Sequence, residues 1–367
     1  MNGFPNVDPI PLPAPIWLFK LLHIVTLALH FVAMQILVGG LLIAVLLSLF
    51  GRSAAAGNAA SAIARRLTIV MTYVINLGVP PLLFAQVLYG RAIYTSSVMI
   101  GLRWIAVIPL LILAYWLLYR FSAALDTGRR AWWIGGIAWS VIAAIAHIYS
   151  TNMTLMLRPE VWQSMYSASS LGAHLPTGDP TTIPRFLFIL ISGFVAAGMW
   201  MIYLGGRKSF STSDGQFLSA LGGRIAAIAA LAQIPAAIAV YRVQPAIVQS
   251  GLSDHLLYKV AGLAWLALTA VLILYAAYAA FAKPIAALTS WLAVLLGVLP
   301  IALMTIYRDG IRDLTLLSKG YDVWNRVVVT NWSVVGIFLV VFVAGLVTVG
   351  WLISVVARAT RVMESAA

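Results

Sequence analysis

Residues 19–50 read FKLLHIVTLALHFVAMQILVGGLLIAVLLSLF. From Ile16 to Phe50 the chain is apolar almost without interruption, and about 20 such residues suffice to cross a bilayer as a helix. The stretch therefore reads as a membrane-spanning helix. It holds His23 and His30, two of the five histidines of the chain. Seven residues apart, they fall on nearly the same helix face, about 10 Å apart along the axis. An ionisable ring inside a membrane helix needs a partner, which is another helix, a water or a metal ion. One reading is a hydrogen bond to a neighbouring backbone carbonyl, since polar side chains commonly join membrane helices. The other is ligation of a metal, for which His30 is the stronger candidate.

The rest of the composition agrees with a membrane protein. Of 367 residues, 62% are hydrophobic and 9% charged, a balance no soluble domain has. Only helices and closed barrels satisfy the backbone in lipid, and the apolar runs are continuous rather than alternating, which excludes a barrel. Residues 1–15 are proline-rich and lack a basic start, so no cleavable signal is expected. The chain has no cysteine, which removes disulfides, iron–sulfur clusters and covalently attached haem. Its net charge of +13 does not mark a nucleic-acid partner. The basic residues are scattered at helix ends, as membrane topology demands, and none of the basic runs is interleaved with exposed aromatics.

Nine spans are expected, at about 16–50, 68–94, 104–121, 131–157, 185–204, 225–241, 260–281, a segment from Lys283 and Pro284 to about 305, and 331–357. Pro80 and Pro81 should break or kink the second. Arginine and lysine concentrate in alternate loops, at Arg52, Arg65, Arg66, Arg120, Arg129, Arg130, Arg207, Lys208, Arg224, Lys283, Arg358 and Arg361. The positive-inside rule then places the N-terminus outside and the C-terminus in the cytoplasm of a bacterial inner membrane. The expected fold is one all-α polytopic helix bundle over 1–367, with a core in 16–206 and further helices in 222–358. Two long polar stretches, 158–184 and 307–330, fall on the outer side as a docking surface. Charge reversal at Arg308, Arg312 and Arg326 is expected to weaken association with a partner there.

The ten acids are Asp8, Asp126, Glu160, Asp179, Asp214, Asp254, Asp309, Asp313, Asp322 and Glu364. All are expected in loops or at helix ends, which argues against carboxylate-driven transport. Histidine within apolar walls is what a b-type haem site needs: neutral imidazole for the iron and hydrocarbon for the porphyrin.

The stretch LHFVAMQILVGGLLIAVL at 29–46 resembles the first helix of the large subunit of cytochrome bd-type quinol oxidases, where a histidine is followed by phenylalanine, an apolar run and small residues. That family also has nine helices with the N-terminus outside. FAQVLYGRAIYTSS at 84–97 resembles the end of its second helix, with Gln86 where the family has an acid. SVIAAIAHIYSTNMTLMLRP at 140–159 resembles its fourth helix, through Asn152, Met156 and Pro159. DPTTIPRFLFILISGFVAAGM at 179–199 resembles the start of its fifth. The resemblance covers roughly the first two hundred residues and implies a haem position at His30. The sequence departs from the family at Phe188, which replaces a haem-ligating histidine. It departs again in the third helix, where WIAVIPLLILAYW at 104–116 lacks the family's glutamates, and in the short connection after the sixth helix, where a quinol-binding loop is expected. The family's GRQPW-type motif is missing too.

The resemblance therefore implies a divergent haem b-binding redox subunit, passing electrons between the quinone pool and a c-type cytochrome or other partner on the outer face. His30, with His147 or His23, would hold the iron. His147 matches no family histidine; it is either hydrogen-bonded within the bundle or a replacement ligand. His174 and His255 read as solvated, Met34, Met153 and Met156 as packing, and Trp17, Trp104, Trp162 and Trp332 as interfacial anchors. The alternative is a cofactor-free anchor subunit on the same scaffold. A transporter is disfavoured by the placing of the acids, and oxygen reduction by this chain alone by the missing ligands.

Overall fold

The computed structural model describes residues 4–5, 11–176, 178–281 and 287–365. Its elements are helical: α1 (Ile16–Phe50), α2 (Ala54–Met99), α3 (Gly101–Asp126), α4 (Trp132–Leu155), α5 (Trp162–Ala168), α6 (Thr182–Gly205), α7 (Thr212–Arg242), α8 (Ala246–Asp254), α9 (Leu256–Phe281), α10 (Ala287–Ser318) and α11 (Trp332–Ser365). No strand occurs among the described residues, and one isolated bridge joins Leu12 to Val328. Nine helices among the described residues, all but α5 and α8, are long and apolar enough to cross a membrane. The chain is an all-α multi-pass membrane bundle.

Several boundaries differ from those read in the sequence. The segment 51–67 is not a connector: α2 starts at Ala54, capped by the Ser53 hydroxyl, which accepts from the Ala56 N–H. Alanine carries this turn, the best helix former available. The stretches 158–184 and 242–259 contain α5 and α8. The largest difference is α10, which runs on to Ser318. Asp309 and Asp313 are therefore buried inside a helix, not in an outer loop. Arg312 is buried with them, so the expected place of Arg312 on an outer docking surface is corrected, while Leu317 and Ser318 at the end of the helix are exposed. Asp8, Lys283 and Pro284 lie outside the described residues.

Pro80 and Pro81 do not break α2. The helix is continuous through them, and its non-helical backbone falls at Tyr89 (φ −122°, ψ 21°). The pair deletes two helix donors, but the same segment gains hydrogen bonds from α1, described below.

Helix α1 is the axis of the bundle. It packs against α2, α4, α6 and α10, and 61% of its most apolar window is buried, against 6% for α11. Small residues allow the close approach. A Cβ on Gly39 would overlap the Gly193 carbonyl of α6, and Gly198 and Gly222 meet in the same way between α6 and α7. Van der Waals packing through such small-residue contacts is the main attraction between helices in lipid, where no hydrophobic force separates protein from solvent. Helix α11 touches the rest through Val335, Leu339 and Phe342, with Phe338 edge-on to Phe84 of α2 at 6.2 Å.

Candidate functional site

The polar residues of α1 meet α2 and α10 at the end of the bundle where α1 begins. Lys20 lies one turn into α1 and is buried. Its ammonium donates to Asp309 Oδ2 at 2.9 Å, to both oxygens of Asp313, and to the Tyr89 hydroxyl at 2.8 Å. Tyr89 in turn donates to Asp309 Oδ1 at 2.7 Å. The break in helical backbone at Tyr89 is where α2 delivers this hydroxyl. Arg312 lies 3.9 Å from Asp309 and stacks on the Tyr89 ring at 4.7 Å. Trp324, beyond α10, closes the group with its indole N–H on Asp313 Oδ2 at 3.3 Å. Two cations and two carboxylates balance, so burial is tolerated through mutual pairing and near-complete hydrogen bonding.

His23 belongs to this group. Its Nδ1 lies 3.0 Å from the Pro81 carbonyl, and its Nε2 lies 2.9 Å from Arg312 Nη1. A carbonyl only accepts and a guanidinium only donates. His23 is therefore neutral with its proton on Nδ1, and both ring nitrogens are engaged.

His30 repeats half of this arrangement seven residues on. Its Nδ1 donates to the Val74 carbonyl at 3.1 Å, and Val74 lies seven residues before Pro81. The two imidazoles thus form a ladder between antiparallel helices and fix the register of α1 on α2. Each bond is the backbone-carbonyl partnership that the sequence left open. Gly78 makes room for the second rung, since a Cβ there would lie 3.0 Å from His30 Cε1. Unlike His23, His30 has no hydrogen bond on Nε2 among the described residues. Beside it, the half-buried Arg308 stacks its guanidinium on the Phe31 ring at 5.5 Å.

His147 sits on α4 with its ring edge-on to Phe186 at 5.5 Å. Its height follows from a marker bond: the Trp139 indole donates to the Val38 carbonyl at 3.1 Å. His147 lies eight residues after Trp139, and His30 eight before Val38. The helices are antiparallel, so both rings lie about 12 Å from the marker toward the same end. They share a level without touching. Phe188 packs on Trp265 at 5.9 Å. No group of three or more metal-ligating side chains occurs among the described residues.

Lys20, Tyr89, Asp309, Arg312 and Asp313 were missed as site residues in the sequence. A signal was present. RDGIRD at 308–313 repeats Arg and Asp at four-residue spacing, which puts each pair on one helix face, and Lys20 is a lone charge inside an apolar run.

Outside the spans, Glu160 accepts from Lys319 at 2.7 Å, with Arg158 at 3.5 Å. Partial burial pushes this carboxyl up, but the hydrogen bond and charge of Lys319, with Arg158, outweigh it and hold it below its ordinary value of 4.5. A carboxyl lowered by folding adds stability above its unfolded value, and that stability is lost as pH falls through the folded one. Because Glu160 is half exposed, Glu160→Gln should cost under about 1 kcal/mol at pH 7. Thermal melts should show that difference vanish in acid.

Compared with family models and with curated proteins, the chain matches none. Fold and site define a class: a multi-pass helical membrane protein with a balanced ion network at one end of its central helix and imidazoles along it.

Proposed function

We propose that the chain is a haem b-binding membrane subunit of a respiratory electron-transfer complex, in which His30 would hold the iron through Nε2. The observation that carries this reading is the state of the His30 ring. Its Nδ1–H is fixed on the Val74 carbonyl, and its Nε2 carries no hydrogen bond among the described residues. Metal-ligating histidines have this outer-shell arrangement, which sets the tautomer and the ring orientation. The donor set fits: one neutral imidazole, the Phe31 ring beside it at 6.1 Å, and no cysteine. Haem, when bound, supplies a one-electron couple. The chain's own residues would hold the ring through the Val74 carbonyl and leave Nε2 for the iron. His147, at the same level on α4, is the second candidate. His23 is left out, because Arg312 and Pro81 take both its nitrogens.

In this reading electrons pass between the quinone pool and a c-type cytochrome or similar partner on the outer face of a bacterial inner membrane. The bd-type resemblance around His30 and the loop charges support that placing. A second reading, a cofactor-free anchor subunit, is favoured by the ladder itself, since a carbonyl bond on each ring accounts for two buried histidines without any ligand. Absorbance separates the two. The purified protein should show a b-type reduced-minus-oxidised band, and His30→Ala should lose it while eluting as a folded bundle. A full haem complement in the variant, or no haem in the parent, would overturn the assignment.

A further inference from the structure

On the face of α1 turned away from α2, Gln35 is fully buried, and neither its amide oxygen nor its amide nitrogen has a partner among the described residues. It stands near the middle of the membrane-crossing length of α1. The side chain lines a cavity of about 10 Å³ shared with Ser192, Gln233, Thr269 and Met304. Four helices besides α1 contribute to its walls: α6, α7, α9 and α10. Around Gln35 the polar groups are ordered. Gln233 donates to the Ser192 hydroxyl, which donates to the Phe188 carbonyl at 2.9 Å. The Thr269 hydroxyl donates to the Trp265 carbonyl at 2.7 Å, leaving its lone pairs free to accept. Pro300, also in the wall, removes the donor that the Leu296 carbonyl would take in a regular helix.

An unpaired buried amide costs about 1–3 kcal/mol or more, and in lipid no solvent relieves it. Gln35 has an orphan donor and an orphan acceptor together. A cation would satisfy only the oxygen and an anion only the N–H, whereas water satisfies both. A polar cavity of roughly 10–15 Å³ is the size of one water molecule. We propose that this pocket is a mid-membrane hydration site: one ordered water held by the Gln35 amide and joined to the Ser192, Gln233 and Thr269 group. The site is independent of the haem reading. It gives the centre of the bundle a proton-exchanging molecule where no carboxylate stands among the described residues.

The test is radiolytic hydroxyl labelling of the detergent-purified full chain, read by mass spectrometry, because bound water activated in place oxidises the side chain beside it. Met304 lines the pocket, and Met71, buried in an apolar cluster, serves as the dry control. Met304 should be labelled several-fold faster than Met71, and Gln35→Met should reduce that labelling and lower the thermal midpoint. Equal labelling of the two methionines in the parent overturns the proposal, whether or not the variant folds. So does a variant that melts higher than the parent, which is the behaviour of an orphan amide in a dry pocket.

Discussion

Lys20→Met will destabilise the bundle by about 3–5 kcal/mol, the cost of leaving buried charge uncompensated. The ammonium is the shared cation of Asp309 and Asp313. Without it, two carboxylates four residues apart on α10 face each other and Tyr89 across a space closed to water, with Arg312 as their remaining cation. The companion variant sharpens the test. Lys20→Met with Asp313→Leu removes one charge of each sign and leaves Asp309 with Arg312. Balanced apolar replacement of buried ion pairs is often neutral, so the double variant should recover most of the loss, less the acceptor that Trp324 forfeits. Thermal unfolding in detergent measures both. A single variant as stable as the parent would mean that the network is hydrated and its charges screened.

Gly39→Val should be as damaging for a different reason. Its side chain would fall on the Gly193 carbonyl, and backbone does not move aside as a flexible side chain does. Helices α1 and α6 would have to separate, and overpacking of this kind costs about 1–3 kcal/mol before the lost contacts are counted. Gly345 of α11 supplies the control. A Cβ there meets nothing within 4 Å, so Gly345→Val should stay within about 0.5 kcal/mol of the parent. Equal effects at the two positions would refute the close α1–α6 contact.

These predictions rest on features of unequal visibility in the sequence. The spans were legible because lipid imposes one requirement along the whole length of each helix, and hydropathy reads it directly. The histidines of α1 were legible as residues in need of a partner. What hid was the partner: a backbone carbonyl has no sequence signature, so nothing marked Val74 or Pro81 as acceptors. The course of α10 differs from the expected loop because charge in this segment does not mark solvent. In 308–313 the charges are helical in period and answer Lys20, nearly three hundred residues earlier. Pro80 and Pro81 differ in the opposite sense, for the helix is continuous through both and its non-helical backbone falls at Tyr89.

The separation of Lys20 from Asp309 in the chain, 289 positions, bears on how the protein is made. A helix entering the membrane early in synthesis carries its ammonium there before its counter-charges exist. Lys20 stands four residues from the start of α1, about 6 Å along the axis, within reach of the interface by extension of its stem. Until α10 arrives it can wait in water. Closure of the network is then a late event of assembly, made when the eighth crossing docks on the first, and a chain interrupted before residue 309 would hold α1 without its lock. Truncated nascent chains should therefore expose Lys20 to water-soluble amine reagents that the finished bundle excludes.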